Sequence, residues 1–180
     1  MSVSYCFYVA PIGNLLLLAK NNALIGLEFE QEQTSRQDYS LEPNWLLDDN
    51  HPVLIAAKSA LSRYFNGEAE SFSDLPLAPQ GTAFQQQVWQ ALLAIPYGQF
   101  SSYGELAKQI GNPRAVRAVG GAVGRNPISI IIPCHRILGK NHALTGFGGG
   151  LPTKRYLLQL EKIAYFDRGI EFVKPKRFHY

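Results

Sequence analysis

The stretch GNPRAVRAVGGAVGRNPISIIIPCHRI, residues 111–137, carries the most specific pattern in the chain. It opens on Gly111, Asn112 and Pro113: a helix stop, an N-cap residue and a proline suited to the first helical position. RAVRAVGGAVG follows with helical spacing. Ala115, Val116, Val119 and Val123 share one face, and Arg114, Arg117, Gly121 and Gly124 share the other. Such a basic, side-chain-poor face is either a solvated surface or a place where a backbone approaches a polyanion closely. Beyond Arg125, Asn126 and Pro127, the run ISIIIP reads as a buried strand that Pro133 brings to an end.

Cys134 and His135 then stand at that strand end, where side chains are commonly presented to a site. A thiol at neutral pH is mostly protonated, and only the thiolate is a good nucleophile. A base, a nearby cation or a helix N-terminus activates it, and His135 and Arg136 supply candidates. The competing reading is a small buried hydrophobe beside a structural histidine. Adjacent residues on an extended chain point opposite ways, so sequence proximity alone does not join the two side chains.

Working back, Thr82 and Gln85 fit a capping box. Phe84, Val88, Trp89, Leu92 and Leu93 then form one apolar stripe, which Pro96 ends. Ser102 and Glu105 fit a second capping box, opening a short helix that stops at Gly111. Two short helices around a tight Gly-Asn turn predict a helix-turn-helix. LPLAPQGT, Leu75 to Thr82, is rich in turn formers and marks a boundary. The expected organisation is an N-terminal unit over 1–78, a C-terminal unit over 79–166 and a basic tail over 167–180.

The N-terminal unit reads as VSYCFYVA, the turn PIGN, LLLLAK, the turn Asn21-Asn22 and ALIGLEF, which predicts a small antiparallel sheet. Residues 31–50 are polar and predict loop. VLIAAKSALSRYFNG predicts a helix closed by Gly67. Lys and Arg number four against ten acids in residues 1–80, but thirteen against four in residues 81–180. A polyanion would therefore meet the second half. The chain has only two cysteines, far apart, which excludes a disulfide framework and suits a reducing compartment. With no signal-like leader and no long apolar run, the expectation is a cytoplasmic protein that does not span a membrane.

GTAFQQQVWQAL, IPYGQFSSYGELA, the stretch of residues 111–137 and TGFGGGLPTKRYLLQLE together resemble the 6-O-alkylguanine-DNA alkyltransferases of bacterial type. The resemblance implies a ribonuclease H-like α/β N-terminal domain and a mainly α C-terminal domain. It implies irreversible, stoichiometric transfer of an alkyl group from O6-alkylguanine, and from O4-methylthymine, in duplex DNA to the protein's own cysteine. In that reading Cys134 is the acceptor, His135 the base acting through water, and Glu161 the carboxylate orienting it. Asn126 braces the active-site turn, and Tyr103 turns the target phosphate and protonates the leaving guanine. Arg117 replaces the flipped nucleotide, while Arg114, Gly121 and Arg125 meet DNA in the minor groove. Pro133, Ile137, Phe147 and Gly148 line the base pocket, with backbone groups of Cys134 and Ile137 reading the guanine edge.

Two features depart from the family pattern. Phe147-Gly148 stands where Tyr-Ser or Tyr-Ala is common, and the tail is basic. The resemblance implies no cofactor and no obligate protein partner, hence a monomer. Some relatives bind zinc in the N-terminal domain; Cys6 and His51 are the only soft ligands here, so no metal is expected. The main alternative is a lesion sensor that flips the base without repairing it; such proteins replace the cysteine, and PCHR is intact. A regulator would need an effector domain, and a hydrolase would turn over.

Overall fold

The computed structural model describes residues 2–30 and 42–167. The basic tail lies outside these residues apart from Asp167, as does most of the predicted loop after the third strand. Strands β1 (Val3–Ala10), β2 (Gly13–Lys20) and β3 (Ala23–Phe29) form an antiparallel meander. Gly13 turns the first hairpin at φ 116° and Asn21 the second at φ 56°, a left-handed conformation that Asn tolerates well. A fourth strand, β4 (Leu46–Leu47), pairs in parallel with β1, giving the order β3-β2-β1-β4. The sheet is therefore mixed, not purely antiparallel, and part of the predicted 31–50 loop is strand.

The LLLLA run is explained by β2's place between two neighbours in a sheet covered on both faces. Leu15, Leu17 and Ala19 enter the main core, whereas Leu16 and Leu18 pack with Val3 and Ile25 on the other face. Each leucine removed from water contributes about 1.5–3 kcal/mol. Helix α1 (Pro52–Phe65) begins at His51, whose Nδ1 accepts from Val53 N at 3.2 Å while Nε2 donates to Asn21 O at 3.0 Å. It buries Leu54, Ala57, Leu61 and Tyr64, and Gly67 follows its end at φ 86°.

In the second half, α2 (Ala83–Leu93) carries the full Thr82–Gln85 capping box. Its Val88, Trp89 and Leu92 are buried. Glycine is needed at position 81: a Cβ there would lie 2.4 Å from the Trp89 ring. Next come β5 (Ser101–Ser102), α3 (Tyr103–Gln109) and α4 (Val116–Gly124). Ser102 caps α3 through Glu105 N at 3.1 Å, but the Glu105 carboxylate pairs with Lys108 at 3.3 Å. Only half of the second predicted capping box forms.

Helix α4 starts later than its sequence suggests. Asn112 is occupied in closing α3: Gly111 takes φ 79°, and Asn112 N donates to Ala107 O at 2.9 Å. Asn112 O then accepts from Ala115 N in a separate turn, so Pro113 and Arg114 precede the helix. Val119, Ala122 and Val123 are buried on α4, whereas Val116, expected inside, is 40% exposed.

The ISIIIP run is buried but is not a strand. Only Ile128 bridges in parallel to Leu27. Ile132 N turns back to Ile128 O at 2.9 Å, and Ile130 takes φ 72°. The strand of this region, β6 (Ile137–Leu138), follows the cysteine and pairs with β5. Helix α5 (Leu151–Leu160) completes the fold. The main core runs across the predicted boundary, from Leu15 and Tyr64 to Trp89, Ile131 and Leu157.

Candidate active site

Cys134, His135 and Arg136 form a single 3-10 turn rather than the extended exit predicted for them. Asn126 fixes the loop leading into it. Its Nδ2 donates to Ile132 O at 2.7 Å, and its Oδ1 accepts from Ile128 N at 2.9 Å. One fully buried amide thus closes both ends of the Ile128–Ile132 turn. This offsets the cost of a β-branched residue at positive φ, of order 1–3 kcal/mol.

Glu161, at the end of α5, gathers four donors. His135 Nε2 and the Tyr64 hydroxyl, the latter at 2.7 Å, meet Oε2; Arg136 Nε at 2.7 Å and Gly98 N at 3.1 Å meet Oε1. Burial alone would raise the carboxyl, but His135 and Arg136 outweigh it and hold Glu161 down at about 2. Burial lowers His135 despite the hydrogen bond and charge of Glu161. The histidine is therefore neutral, with Nε2–H donating to the carboxylate and Nδ1 left with its lone pair. Among the described residues His135 Nδ1 is the buried side-chain nitrogen with no hydrogen-bond partner.

Arg136, a candidate cation for the thiol, is engaged by other acceptors. It donates to Glu161 and, through a terminal nitrogen, to Ile95 O at 2.7 Å. Lys154 is within electrostatic reach of Cys134. It is 1% exposed, and its Nζ donates to Ile137 O at 2.6 Å and reaches Thr145 Oγ1 at 3.3 Å. Burial lowers the ammonium to about 8, opposed by the charge of Cys134. The Tyr103 hydroxyl stands 3.4 Å from Thr145 Oγ1. Burial raises this phenol, the Thr145 bond opposes the rise, and the Cys134 charge adds to it. Tyr103 and Lys154 thus meet at Thr145, both within electrostatic reach of Cys134, which is 6% exposed.

The remaining predicted residues fall into two places. Pro133, Ile137 and Phe147 are buried around the turn, with Gly148 half-buried and Phe147 packed edge-on against Phe29 at 5.7 Å. Ile137 O is engaged by Lys154, and Cys134 O accepts from Ile137 N. Each carbonyl keeps a second lone pair. Arg114, Arg117, Gly121 and Arg125 are exposed on or next to α4. A Cβ at Gly121 or Gly124 would meet nothing within 4 Å, so folding does not require these glycines. Of the two possible zinc ligands, Cys6 is sealed in the core, where burial pushes its thiol up to about 11, and His51 caps α1.

Sequence reading missed Tyr64 and Lys154. The lysine had a signal: it shares the apolar face of α5 with Leu151, Leu157 and Leu158, all buried. Tyr64 had none, because an aromatic residue on a helix's inner face is ordinary core.

The family models for 6-O-methylguanine DNA methyltransferase match twice, the ribonuclease-like domain over residues 3–79 and the DNA binding domain over residues 83–163. A methylated-DNA–protein-cysteine methyltransferase of Haemophilus influenzae is 58% identical over 97% of this chain and 94% of that protein. This chain belongs to the 6-O-methylguanine DNA methyltransferase family. The constitutive methyltransferase of Bacillus subtilis is 43% identical over 88% of the chain and 94% of its own length. Among solved members of the family, Mycobacterium tuberculosis OGT in complex with DNA superposes with a TM-score of 0.76. It has 47% identity and covers 90% of this chain and 93% of its own. No helix among the described residues of this family member is long and apolar enough to cross a membrane.

Proposed function

We propose that this protein repairs alkylated DNA by moving the alkyl group of O6-alkylguanine onto Cys134, once per molecule. The observation that carries the reading is the buried neutral His135. Its Nε2–H is tied to Glu161, which leaves the unpartnered Nδ1 as the ring nitrogen available to act as a base. In the reaction, Nδ1 takes the Cys134 proton through a water molecule. Sγ attacks the alkyl carbon in line, the S–C bond forms as the C–O6 bond breaks, and the electron pair leaves with guanine. Tyr103 hands its phenolic proton to the departing base. The thioether product is stable, and the site offers no means of hydrolysing it.

DNA approaches through α4. We read α3 and α4 as a helix-turn-helix, with the chain organised as a unit over 1–78, a DNA-binding unit over 79–166 and a basic tail. Support comes from the open glycine positions 121 and 124 beside exposed Arg114, Arg117 and Arg125. The target base must leave the stack, at a cost of a few kcal/mol, and Arg117 fills the space it vacates. Pro133, Ile137, Phe147 and Gly148 receive the base. Phe147 supplies a flat apolar wall without a hydroxyl, and Gly148 offers a backbone N–H. The lesion range extends to O4-methylthymine.

The deciding experiment mixes the protein with a duplex carrying one 6-O-methylguanine, then digests it and weighs the peptides. A methyl gain confined to the Cys134 peptide and saturating at one per protein is the expected result. Cys134→Ser should abolish the gain while DNA binding persists. Tight lesion binding by the native protein with no mass gain would make it a sensor instead.

A further inference from the structure

Tyr64 lies on α1, in the half of the chain that carries no other proposed catalytic group. Its side chain is completely buried, and its hydroxyl donates to Glu161 Oε2 at 2.7 Å. The same oxygen receives His135 Nε2, and the Tyr64 hydroxyl stands 3.5 Å from that nitrogen. One carboxylate oxygen is thus shared by two donors, one from each half of the chain. We propose that Tyr64 is a positioning residue for alkyl transfer: its hydroxyl fixes Glu161 Oε2 and limits how strongly that oxygen draws on the His135 proton. This extends the reading of His135 as the base and rests on it.

The argument is one of shared acceptor capacity. Burial and the Glu161 charge push the Tyr64 phenol far up, so it stays protonated and can only donate at this oxygen. Its hydrogen bond stabilises the carboxylate and lowers its remaining affinity for the proton on Nε2. Without the hydroxyl, Glu161 would stabilise an imidazolium more strongly and hold the ring less firmly. His135 would then become a base that is charged, and so unavailable, over a wider pH range. The other charged or titratable groups facing this network are Arg136, Lys154 and Tyr97. Arg136 and Lys154 oppose the imidazolium. Tyr97 packs edge-on against Tyr64 at 6.0 Å and lies under the Arg136 guanidinium at 5.9 Å. None of these replaces the lost donor at Oε2.

Tyr64→Phe keeps the ring contacts with Phe65, Phe72 and Tyr97 and removes only the hydroxyl. Single-turnover methyl transfer from a duplex containing 6-O-methylguanine is measured across pH for native and variant protein, alongside DNA affinity and the 15N shifts of the His135 ring. The expected result is a rate about tenfold lower at neutral pH, an acid limb moved to higher pH, a matching change at His135 Nε2 and unchanged DNA affinity. A variant with the native pH profile and native ring shifts overturns the inference, whether its rate is normal or falls along with thermal stability. Failure of the native protein to methylate Cys134 would instead overturn the repair reading itself, so the two failures are separable.

Discussion

Arg136 Nε and Glu161 Oε1 meet at 2.7 Å with both side chains sealed from solvent. A buried pair of this kind is weak evidence for stability as a pair, yet costly to break. Removing one partner leaves the other charge without compensation, at about 3–5 kcal/mol. Because Glu161 also orients His135, its loss should act on stability and chemistry together. Glu161→Gln is expected to lose stability of that order in chemical denaturation and to slow transfer at least about a hundredfold. A variant that is destabilised yet transfers at the native rate would remove Glu161 from the mechanism.

Acid should inhibit this protein late and unfold it gradually. His135 is lowered from the ordinary 6.5 by burial, so it remains a neutral base as pH falls past that value. The acid limb of the transfer rate should therefore lie at lower pH than an ordinary imidazole would give. Stability follows the same groups. The unfolded chain binds a proton at His135 more readily than the native protein, so stability declines as pH drops below 6.5. Glu161 adds stability above its ordinary value of 4.5 that is lost as pH falls toward about 2. Denaturation midpoints should fall as pH drops below 6.5 and again as it falls from 4.5 toward about 2, and Glu161→Gln should flatten the lower part. A native-like decline in that variant would contradict the assignment.

If the open face of α4 meets DNA as proposed, folding and binding should respond differently to a side chain placed there. Gly121 contacts nothing where a side chain would extend, and Leu has the better helix propensity by somewhat under 1 kcal/mol. Gly121→Leu should therefore be slightly more stable than the native protein in thermal unfolding. Its affinity for duplex DNA should nevertheless fall at least about tenfold. Undiminished affinity would take α4 away from the DNA.

Arg117 is exposed, and Arg117→Ala should alter stability by no more than about 0.5 kcal/mol. Transfer from a duplex lesion should suffer more than transfer from free 6-O-methylguanine, which needs no flipping. Equal losses on the two substrates would eliminate the wedge role.

What the sequence disclosed follows from how local each signal is. The β1–β3 meander, α1 and α2 were legible because alternation, turn residues and caps act within a few residues. The β4 pairing was not, being two residues joined to a distant strand. ISIIIP failed as a strand because burial makes a strand and a buried turn equally apolar, and nothing in an isoleucine announces φ 72° at Ile130. Asn112 misled because one residue can close a helix as well as open one. In the site, Cys134 and His135 stood out locally as a thiol beside a possible base, but Glu161 was readable only through resemblance; its meeting with His135 depends on α5 returning to the turn. Tyr64 depends on the other half of the chain and left no local trace.

Leu27 N donates to Pro127 O at 2.9 Å, and Leu27 bridges to Ile128, where the turn leading to Cys134 begins. Strand β3 is thereby the fixed reference against which the turn carrying Cys134, the proposed nucleophile, is held. Loosening the turn at its origin means breaking into the sheet, so the two should exchange amide protons on one clock. Deuterium uptake at Leu27 and at Ile132 would keep the same time, and the repair site would be no softer than the foundation beneath it.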